Sequence, residues 1–244
     1  MPIYRTRPGA LAYGFRLGVL AIDCEQPFVP GDAGNASTWP WPVLYHRIEG
    51  CSIQRLVLEG DRTLEPTVVD AARALEGEGV DAIISNCGFL ARFQNAVARA
   101  VNVPVGLSAL LQVPPVLAFT GGGLVGVITA SAATLSRELL DAAGIPRDAP
   151  VPVYGMEDYP AFAEPFLSDC GWVDTDALAA AADDLGRRMA AAHPDLTALV
   201  LECAVLPPYA HVFEAAAGVP VYDAVTLGRF LVSGTGHAPP SGTY

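Results

Sequence analysis

Residues 80–93 read Val-Asp-Ala-Ile-Ile-Ser-Asn-Cys-Gly-Phe-Leu-Ala-Arg-Phe, and this stretch decides the fold. The apolar run at its start predicts a buried strand, and the pattern after Gly88 predicts a helix. Cys87 is therefore expected at the carboxyl end of a strand and the amino end of a helix. Backbone N–H groups and the helix dipole both favour a thiolate there, so we expect a thiol pKa below the usual ~8.5.

The same pattern occurs a second time. Residues 196–209 read Leu-Thr-Ala-Leu-Val-Leu-Glu-Cys-Ala-Val-Leu-Pro-Pro-Tyr, and a shift of 116 positions lays Cys87 on Cys203 without a gap. The same shift lays the Val-Pro-Val of residues 103–105 on the Val-Pro-Val of residues 219–221. An internal repeat of this kind predicts two like lobes related by pseudo-twofold symmetry.

Strands and helices alternate along the chain. Apolar runs predict strands at 17–22, 43–46, 53–57, 80–84, 103–106, 124–129, 151–153, 196–201 and 219–222. Helices are predicted at 66–76, 89–100, 132–143, 207–217 and 224–232, with a long helix from the N-cap Asp174 to about 193, a helix or loop at 108–117 and irregular structure at 155–172. Uncharged strands that alternate with helices are typical of parallel sheets covered on both faces.

We therefore predict an α/β fold with two lobes. The first lobe comprises residues 1–117 and is completed by residues 224–244, whose last part looks loose, and the second comprises residues 118–223. Open parallel sheets bind ligands beyond the carboxyl ends of their strands. Because both repeated cysteines lie at such ends, the active site is expected in the cleft between the lobes.

The composition excludes some classes of protein. The chain has 244 residues, of which 52% are hydrophobic and 16% charged, so a sizeable core is expected. A net charge of −12 argues against nucleic-acid binding, which normally needs a basic face. It does not exclude a small anionic substrate, because local dipoles can outweigh a distant net charge. The five cysteines form no C-x-x-C pair, so a metal site has little support.

Neither export nor membrane insertion is expected. The apolar run at 17–22 is short for a signal peptide. Residues 100–136 carry no charge, but prolines and a Gly-Gly-Gly run interrupt them, whereas a spanning helix needs ~20 continuous apolar residues. We therefore expect a cytoplasmic protein that binds no membrane.

Two opposed cysteines suit one class of reaction. One thiolate removes a proton from a carbon next to a carboxylate, and the opposite thiol returns a proton to the other face. Charge then develops on the carboxylate oxygens, so donors must point there, and the backbone amides after Cys87 and Cys203 are candidates. Gly88 would let the substrate approach the chain closely. The alternative is that both cysteines are small buried apolar residues.

The motifs around the cysteines resemble those of a known superfamily. They are Ser85-Asn86-Cys87-Gly88-Phe89, Glu202-Cys203-Ala204 before Pro207-Pro208-Tyr209, and Gly126-Val127-Ile128-Thr129-Ala130. Together they resemble the aspartate/glutamate racemase superfamily, which includes hydantoin racemases, arylmalonate decarboxylases and maleate isomerases. The early loop, with Pro30-Gly31-Asp32 and Asn35, resembles an uncharacterised branch of it.

The resemblance implies two flavodoxin-like lobes, no cofactor and a homo-oligomer. It implies that Cys87 and Cys203 are the acid–base pair and that Thr129 and Ser131 bind a carboxylate. Further substrate-binding candidates are Ser85, Asn86, Gly88, Phe89, Ala204, Asp23 and Asn35. Family racemases for aspartate and glutamate usually carry a hydroxyl residue after the cysteine. Glycine and alanine stand there in this chain, which argues against an ordinary acidic amino acid.

Several residues keep two interpretations. Asp23 is either an acid close to one cysteine or an ordinary turn residue. Glu202 either assists Cys203 or points away from it, and His211 either tunes Cys203 or lies at the surface. The connection at 23–46 has the length of a functional lid, and its Trp39 and Trp41 either cap the cleft or pack against a lobe.

The leading functional hypothesis is a cofactor-independent racemase or epimerase that uses Cys87 and Cys203 as two bases on a small carboxylate. One alternative is a cis–trans isomerase or decarboxylase of the same superfamily that uses one cysteine. A second is a non-catalytic protein that binds a small ligand on the same fold.

Overall fold

Two parallel four-stranded sheets form the framework of the protein in the computed structural model, which describes residues 3, 5, 6 and 14–235. The first sheet has the order β2-β1-β3-β4 and the second the order β6-β5-β7-β8, with every pair parallel. The strands are β1 (Leu17–Ala21), β2 (Val43–Arg47), β3 (Ala82–Ser85), β4 (Val105–Gly106), β5 (Leu124–Thr129), β6 (Val153–Gly155), β7 (Leu196–Leu201) and β8 (Val221–Tyr222). The two sheets have one topology, so the predicted α/β fold of two like lobes is confirmed.

The described residues contain eight α-helices, of which the first seven lie between strands and the eighth follows the last strand. They are α1 (Glu65–Gly77), α2 (Gln94–Ala100), α3 (Val113–Phe119), α4 (Arg137–Ala142), α5 (Pro160–Phe166), α6 (Thr175–Ala192), α7 (Ala210–Ala217) and α8 (Ala224–Ser233). Within the same residues, no helix is both long enough and apolar enough to cross a bilayer.

The central strand β1 shows why apolar runs suit these sheets. Leu17 and Val19 contribute to an apolar cluster on one face, whereas Leu20 contributes to a larger cluster on the other. The neighbouring β3 is buried at all its positions. A strand that is buried on both faces needs apolar residues at successive positions, which produces the continuous runs seen in the sequence.

The sequence also determines several helix ends. The Asp174 side chain accepts hydrogen bonds from the N–H groups of Asp176 and Ala177, as predicted for the N-cap of α6. Asp223 and Thr226 form a capping box at the start of α8. This helix packs back on β3 and β4 of the first sheet.

The predicted lobe boundaries at 117/118 and 223/224 stay a proposal. The return of α8 to the first sheet supports the second boundary. The proposed completion of the first lobe extends to residue 244, but residues 236–244 lie outside the described part of the chain.

Two predicted segments were wrong. Residues 53–57 do not form a strand, since a π-helical turn covers Gln54–Leu58. Ile53, Leu56 and Val57 are buried there, at a spacing that fits a helix. The segment 155–172, predicted to be irregular, contains α5, which buries Phe162 and Phe166. The helix predicted at 132–143 begins only at Arg137.

Replacement of Asp174 tests the cap of α6. Asp174→Ala should lower the free energy of unfolding by ~1 kcal/mol, because two N–H groups lose their acceptor. Asp174→Ser keeps an oxygen acceptor and should stay within a few tenths of wild type. Urea unfolding followed by circular dichroism measures both values, and equal losses in the two variants would contradict the capping role.

Candidate active site

A narrow cavity lies between the carboxyl ends of the two sheets, and both repeated cysteines face it. The first half of the chain lines it with Ile22, Gln26, Ile53, Val57, Asn86, Cys87, Gly88 and Phe89, and the second half with Ala130, Phe166, Leu167, Glu202, Cys203 and Val205. Its volume is about 30 Å³, which is room for one or two water molecules. The cleft is therefore nearly closed.

Equivalent hydrogen bonds shape the two cysteine turns. The N–H of Asn86 donates to Leu20 O in β1 at 3.0 Å, and the N–H of Glu202 donates to Ile128 O in β5 at 2.7 Å. Each turn then closes in the same way, since the carbonyls of Cys87 and Cys203 each accept an N–H three residues later at 3.1 Å. The repeat in the sequence is thus a repeat in backbone geometry.

Side chains fix the first turn further. The Ser85 hydroxyl lies 2.7 Å from Leu107 O and 2.9 Å from Cys87 O, both of which can accept its proton. Asn86 Oδ1 accepts the N–H of Ile22 at 2.9 Å. The hydrogen bonds of Ser85 and Asn86 therefore stabilise the turn. Asn86 in addition lines the cavity.

Glu202 occupies the space between the two turns. Its side chain is buried, and Oε2 accepts a hydrogen bond from Thr129 Oγ1 at 2.8 Å. Oε1 has no hydrogen-bond partner within the described residues. A Cβ atom at Gly88 would overlap both Glu202 Oε1 and the Glu202 carbonyl oxygen. Glycine after Cys87 is therefore what allows the carboxyl group to lie here.

The prediction of lowered thiol pKa values was wrong. Burial raises the pKa of Cys87 well above its usual value, and the charges of Glu202 and Cys203 raise it further. Burial and Glu202 likewise raise the pKa of Cys203. Hydrogen bonds from the N–H groups of Phe89 and Val205 lower the pKa of Cys87 and Cys203, respectively, but burial has the larger effect. The 3₁₀ segment Gly88–Phe93 after Cys87 continues directly into α2, but its amino-terminal N–H groups do not offset the burial of the thiol.

Two carboxyl groups near the cysteines also titrate abnormally. Burial raises the pKa of Glu202 to about 7, although the hydrogen bond from Thr129 lowers it in part. Burial raises the pKa of Asp32 to about 8, against a lowering hydrogen bond from the N–H of Gly34. None of the described residues that line the cavity is Arg, Lys or His, so no basic side chain in its wall offsets the negative charge of an ionised carboxylate.

Several predicted site residues do not line this cavity. The Thr129 hydroxyl is used by Glu202, and the Ser131 hydroxyl lies 3.4 Å from Glu157 Oε1. Asp23 binds Arg47 and the N–H of Gly50. Asn35 caps the 3₁₀ turn Ala36–Thr38, and Ala204, like Ser85 and Gly88, lines a smaller adjoining cavity. The predicted residues that do face the main cavity are Asn86, Cys87, Gly88, Phe89 and Cys203.

The structure also shows where His211, Trp39 and Trp41 lie, for which the sequence allows two interpretations each. His211 is exposed on α7. Trp39 is buried beside Gly228 of α8, and its Nε1 donates to Ala33 O, so it packs against the first lobe. Trp41 stacks on Trp39.

The long connection after β1 closes one side of the cavity. Gln26 Nε2 donates to Phe166 O at 2.9 Å, and the N–H of Glu25 lies 3.2 Å from both carboxylate oxygens of Asp169. Sequence reasoning missed Gln26, Ile53 and Phe166 as lining residues. The helical spacing of Ile53 and Val57 is the one signal in the sequence that points to this part of the wall, although the run 53–57 also fits the predicted strand.

The comparison with known families agrees with this geometry. A family model described as Asp/Glu/Hydantoin racemase matches residues 52–229. The chain belongs to this family. The resemblance inferred from the cysteine motifs is confirmed, whereas racemase activity in particular stays a proposal.

Curated relatives of this racemase-family chain are lyases. Dimethylsulfoniopropionate lyase of Durusdinium sp. clade D is 28% identical over 226 residues, which cover 89% of this chain and 74% of that protein. Dimethylsulfoniopropionate lyases 7 and 6 of Emiliania huxleyi (strain CCMP1516) are 28% and 32% identical, each over 86% of this chain. The chain spans only 64% and 57% of the lengths of these two proteins.

Solved structures show the same fold. Unliganded arylmalonate decarboxylase is 22% identical with a TM-score of 0.59, covering 93% of this chain and 97% of that one. Allantoin racemase from Pseudomonas fluorescens is 18% identical with a TM-score of 0.60, covering 90% of both chains. At such identities the likeness concerns the fold alone.

Replacement of Gly88 tests the packing of Glu202. Gly88→Ala should lower the free energy of unfolding by ~1–3 kcal/mol, because the new methyl group overlaps a buried carboxyl group. The matched control is Gly77→Ala, at the end of α1, where a Cβ would meet no atom within 4 Å. The control should be neutral or slightly stabilising in urea unfolding, and a Gly88→Ala protein as stable as wild type would contradict the overlap.

Thiol labelling tests the raised pKa values. At pH 8, iodoacetamide should modify the exposed Cys170 of the native protein much faster than the other four cysteines, of which Cys24 and Cys51 are buried. Thiolate is the reactive form, and the raised pKa of Cys87 and Cys203 makes it scarce. Mass spectrometry counts the labels, with Cys170→Ser as control and urea-denatured protein as reference. Rapid modification of Cys87 or Cys203 would show that burial does not control their ionisation.

Proposed function

We propose that the protein is a cofactor-independent enzyme that moves a proton at a carbon next to a carboxylate, with Cys87 and Cys203 as the acid–base groups. The observation that carries this proposal is that both thiols, from equivalent turns of the two lobes, face one cavity. Such a cavity excludes bulk water, which strengthens electrostatic interactions with the substrate.

We propose further that the reaction is β-elimination of dimethylsulfoniopropionate or a close analogue. The similarity to dimethylsulfoniopropionate lyases supports this choice over other reactions of the family. One cysteine thiolate takes the proton from the carbon next to the carboxylate. The electron pair of that C–H bond forms the C=C bond, and the C–S bond breaks with its electrons on sulfur. Dimethyl sulfide and acrylate are the products, and the proton passes from the thiol to water.

The cleft has room for only one or two water molecules in this structure, so it must open to admit the proposed substrate, and its wall then suits a sulfonium group. Phe89 and Phe166 are aromatic, and Ile53, Val57 and Leu167 are aliphatic. Aromatic faces attract cations, and apolar walls accept the uncharged leaving group. A sulfonium cation beside the cysteines would also favour their thiolate forms, which offsets part of the effect of burial.

Racemisation or epimerisation is the second candidate. It is favoured by the equivalence of the two cysteine turns, because inversion needs an acid–base group on each face of the carbon. Elimination needs only one base. The two reactions therefore differ in how strongly each cysteine is required.

Serine replacements test the elimination. Purified wild type should release dimethyl sulfide from dimethylsulfoniopropionate, measured by gas chromatography, with acrylate measured by NMR. Replacement of the cysteine that acts as base, in Cys87→Ser or Cys203→Ser, should lower kcat/KM by at least ~100-fold, as expected for loss of a general base. Cys170→Ser is the matched control and should match wild type. Near-normal activity in both Cys87→Ser and Cys203→Ser would contradict the proposal.

Deuterium incorporation separates the two candidates. In D₂O, a racemase should place deuterium next to the carboxylate of a chiral acid and should lose inversion equally in Cys87→Ser and Cys203→Ser. A lyase should release dimethyl sulfide and should not invert the chiral acid. Inversion without dimethyl sulfide release would replace the elimination by racemisation.

A further inference from the structure

We propose that Glu202 is a substrate-binding residue that carries a proton on Oε1 and donates it in a hydrogen bond to the substrate carboxylate. The inference rests on the proposed function, because it takes a carboxylate as the group bound between the lobes. It gives a role to a carboxyl group that the proton transfer at Cys87 and Cys203 does not itself use.

The contacts of Glu202 are compatible with a neutral carboxylic acid. Oε2 accepts a hydrogen bond from Thr129 Oγ1 at 2.8 Å, as the carbonyl oxygen of an acid does. Oε1 has no partner within the described residues, although the side chain is only 1% exposed. An O–H group at Oε1 is therefore a donor without an acceptor in the protein. Buried donors of this kind are rare unless something else binds them.

The position of Glu202 suits a contact with substrate. The residue lines the main cavity with both cysteines and also the adjoining smaller cavity that reaches Ser85 and Ser108. Gly88 leaves room for its carboxyl group directly beside the Cys87 turn. A carboxylate held at Oε1 would thus lie next to the thiols that act on the neighbouring carbon.

The surroundings of Glu202 favour the protonated form, because its burial disfavours the charged carboxylate. The titratable groups that face it are the thiols of Cys87 and Cys203, whose pKa values it raises, and Asp32 lies near Cys203. None of the described lining residues carries a positive charge. An ionised Glu202 would repel both a thiolate and an incoming carboxylate, whereas the acid repels neither. An apolar site can hold a carboxylic acid neutral at pH 7 and use it as a donor.

The alternative is an ionised Glu202 that attracts a sulfonium group. The two roles make opposite demands on the proton, so one variant separates them. Glu202→Gln keeps an uncharged donor and removes the ionisation.

Kinetics of the elimination give the first test. Burial raises the pKa of Glu202 to about 7, so wild type loses the donor as the pH rises above that value. The ratio of kcat/KM for Glu202→Gln to that of wild type should be constant below pH 6 and should rise about tenfold per pH unit above pH 8. A ratio that falls above pH 7 would show that the carboxylate form is the useful one and would overturn the proposal.

Binding of propionate gives a test that needs no catalysis. Its dissociation constant for wild type, measured by calorimetry from pH 5.5 to 9, should be constant at low pH and should rise about tenfold per pH unit well above pH 7. For Glu202→Gln it should stay constant. A rise that persists in Glu202→Gln would assign the titration to another group, such as Asp32, and a flat wild-type curve would equally overturn the proposal.

Thr129→Val covers the case in which Glu202→Gln does not fold. The Thr129 hydrogen bond lowers the pKa of Glu202, so its loss should move the weakening of propionate binding to higher pH. An unchanged midpoint would contradict the role of Glu202. If propionate binds as expected but no dimethyl sulfide is released, the proposed elimination fails and the inference about Glu202 stands.

Discussion

Two backbone hydrogen bonds, from Asn86 N–H to Leu20 O and from Glu202 N–H to Ile128 O, hold the ends of the central strands together in the two lobes. They extend the parallel pairing of β1 with β3 and of β5 with β7 to the turns that carry the cysteines. Because carboxyl ends of parallel strands meet at one edge of a sheet, each lobe presents its cysteine at that edge. The site depends on this pairing, because it places both cysteine turns beside the one cavity that they line.

The pairing also brings acidic groups together, and the described residues that line their cavity include no cationic side chain. Cys87, Cys203 and Glu202 lie around one small cavity, and each ionisation raises the free energy of the next. Burial disfavours all three charged forms in addition. Both thiols therefore hold their protons in the free protein. In the proposed elimination, a positively charged substrate group beside them would favour the loss of one proton, so that the proposed chemistry is coupled to substrate binding.

Much of the fold was predictable because the repeat constrains it. The cysteine stretches and the Val-Pro-Val runs, each 116 positions apart, correspond to equivalent turns and to β4 and β8 of the two sheets. Asp174 marked the start of α6 because an N-cap is a local signal. The segment 53–57 was predicted wrongly because so short a run of mixed apolar and polar residues fits either a strand or a helical turn. The burial of Ile53 and Val57 in the assembled cavity favours the helical turn.

The site was predictable only in part, because some of its features depend on contacts between the two lobes. Cys87, Gly88 and Phe89 belong to one local motif, so their common position follows from sequence. The sequence does not decide the role of Glu202, because the direction of a side chain beside Cys203 depends on how the other lobe packs against it. The absence of a Cβ at Gly88 decides it. The pKa prediction failed likewise, since the local turn favours a thiolate, whereas the burial that raises the pKa of Cys87 arises only in the assembled cavity.

The charge balance of the cavity limits the class of substrate. A dicarboxylate would bring two negative charges into a wall whose described residues include no cation, and desolvation of unpaired charges is costly. A zwitterion with one carboxylate and one cationic sulfonium group enters with no net charge. In the proposed complex, its carboxylate would need only uncharged donors, and its cation would lie beside aromatic faces and thiols. The same argument weighs against acidic amino acids, in agreement with Gly88 and Ala204 standing where family racemases usually carry a hydroxyl residue.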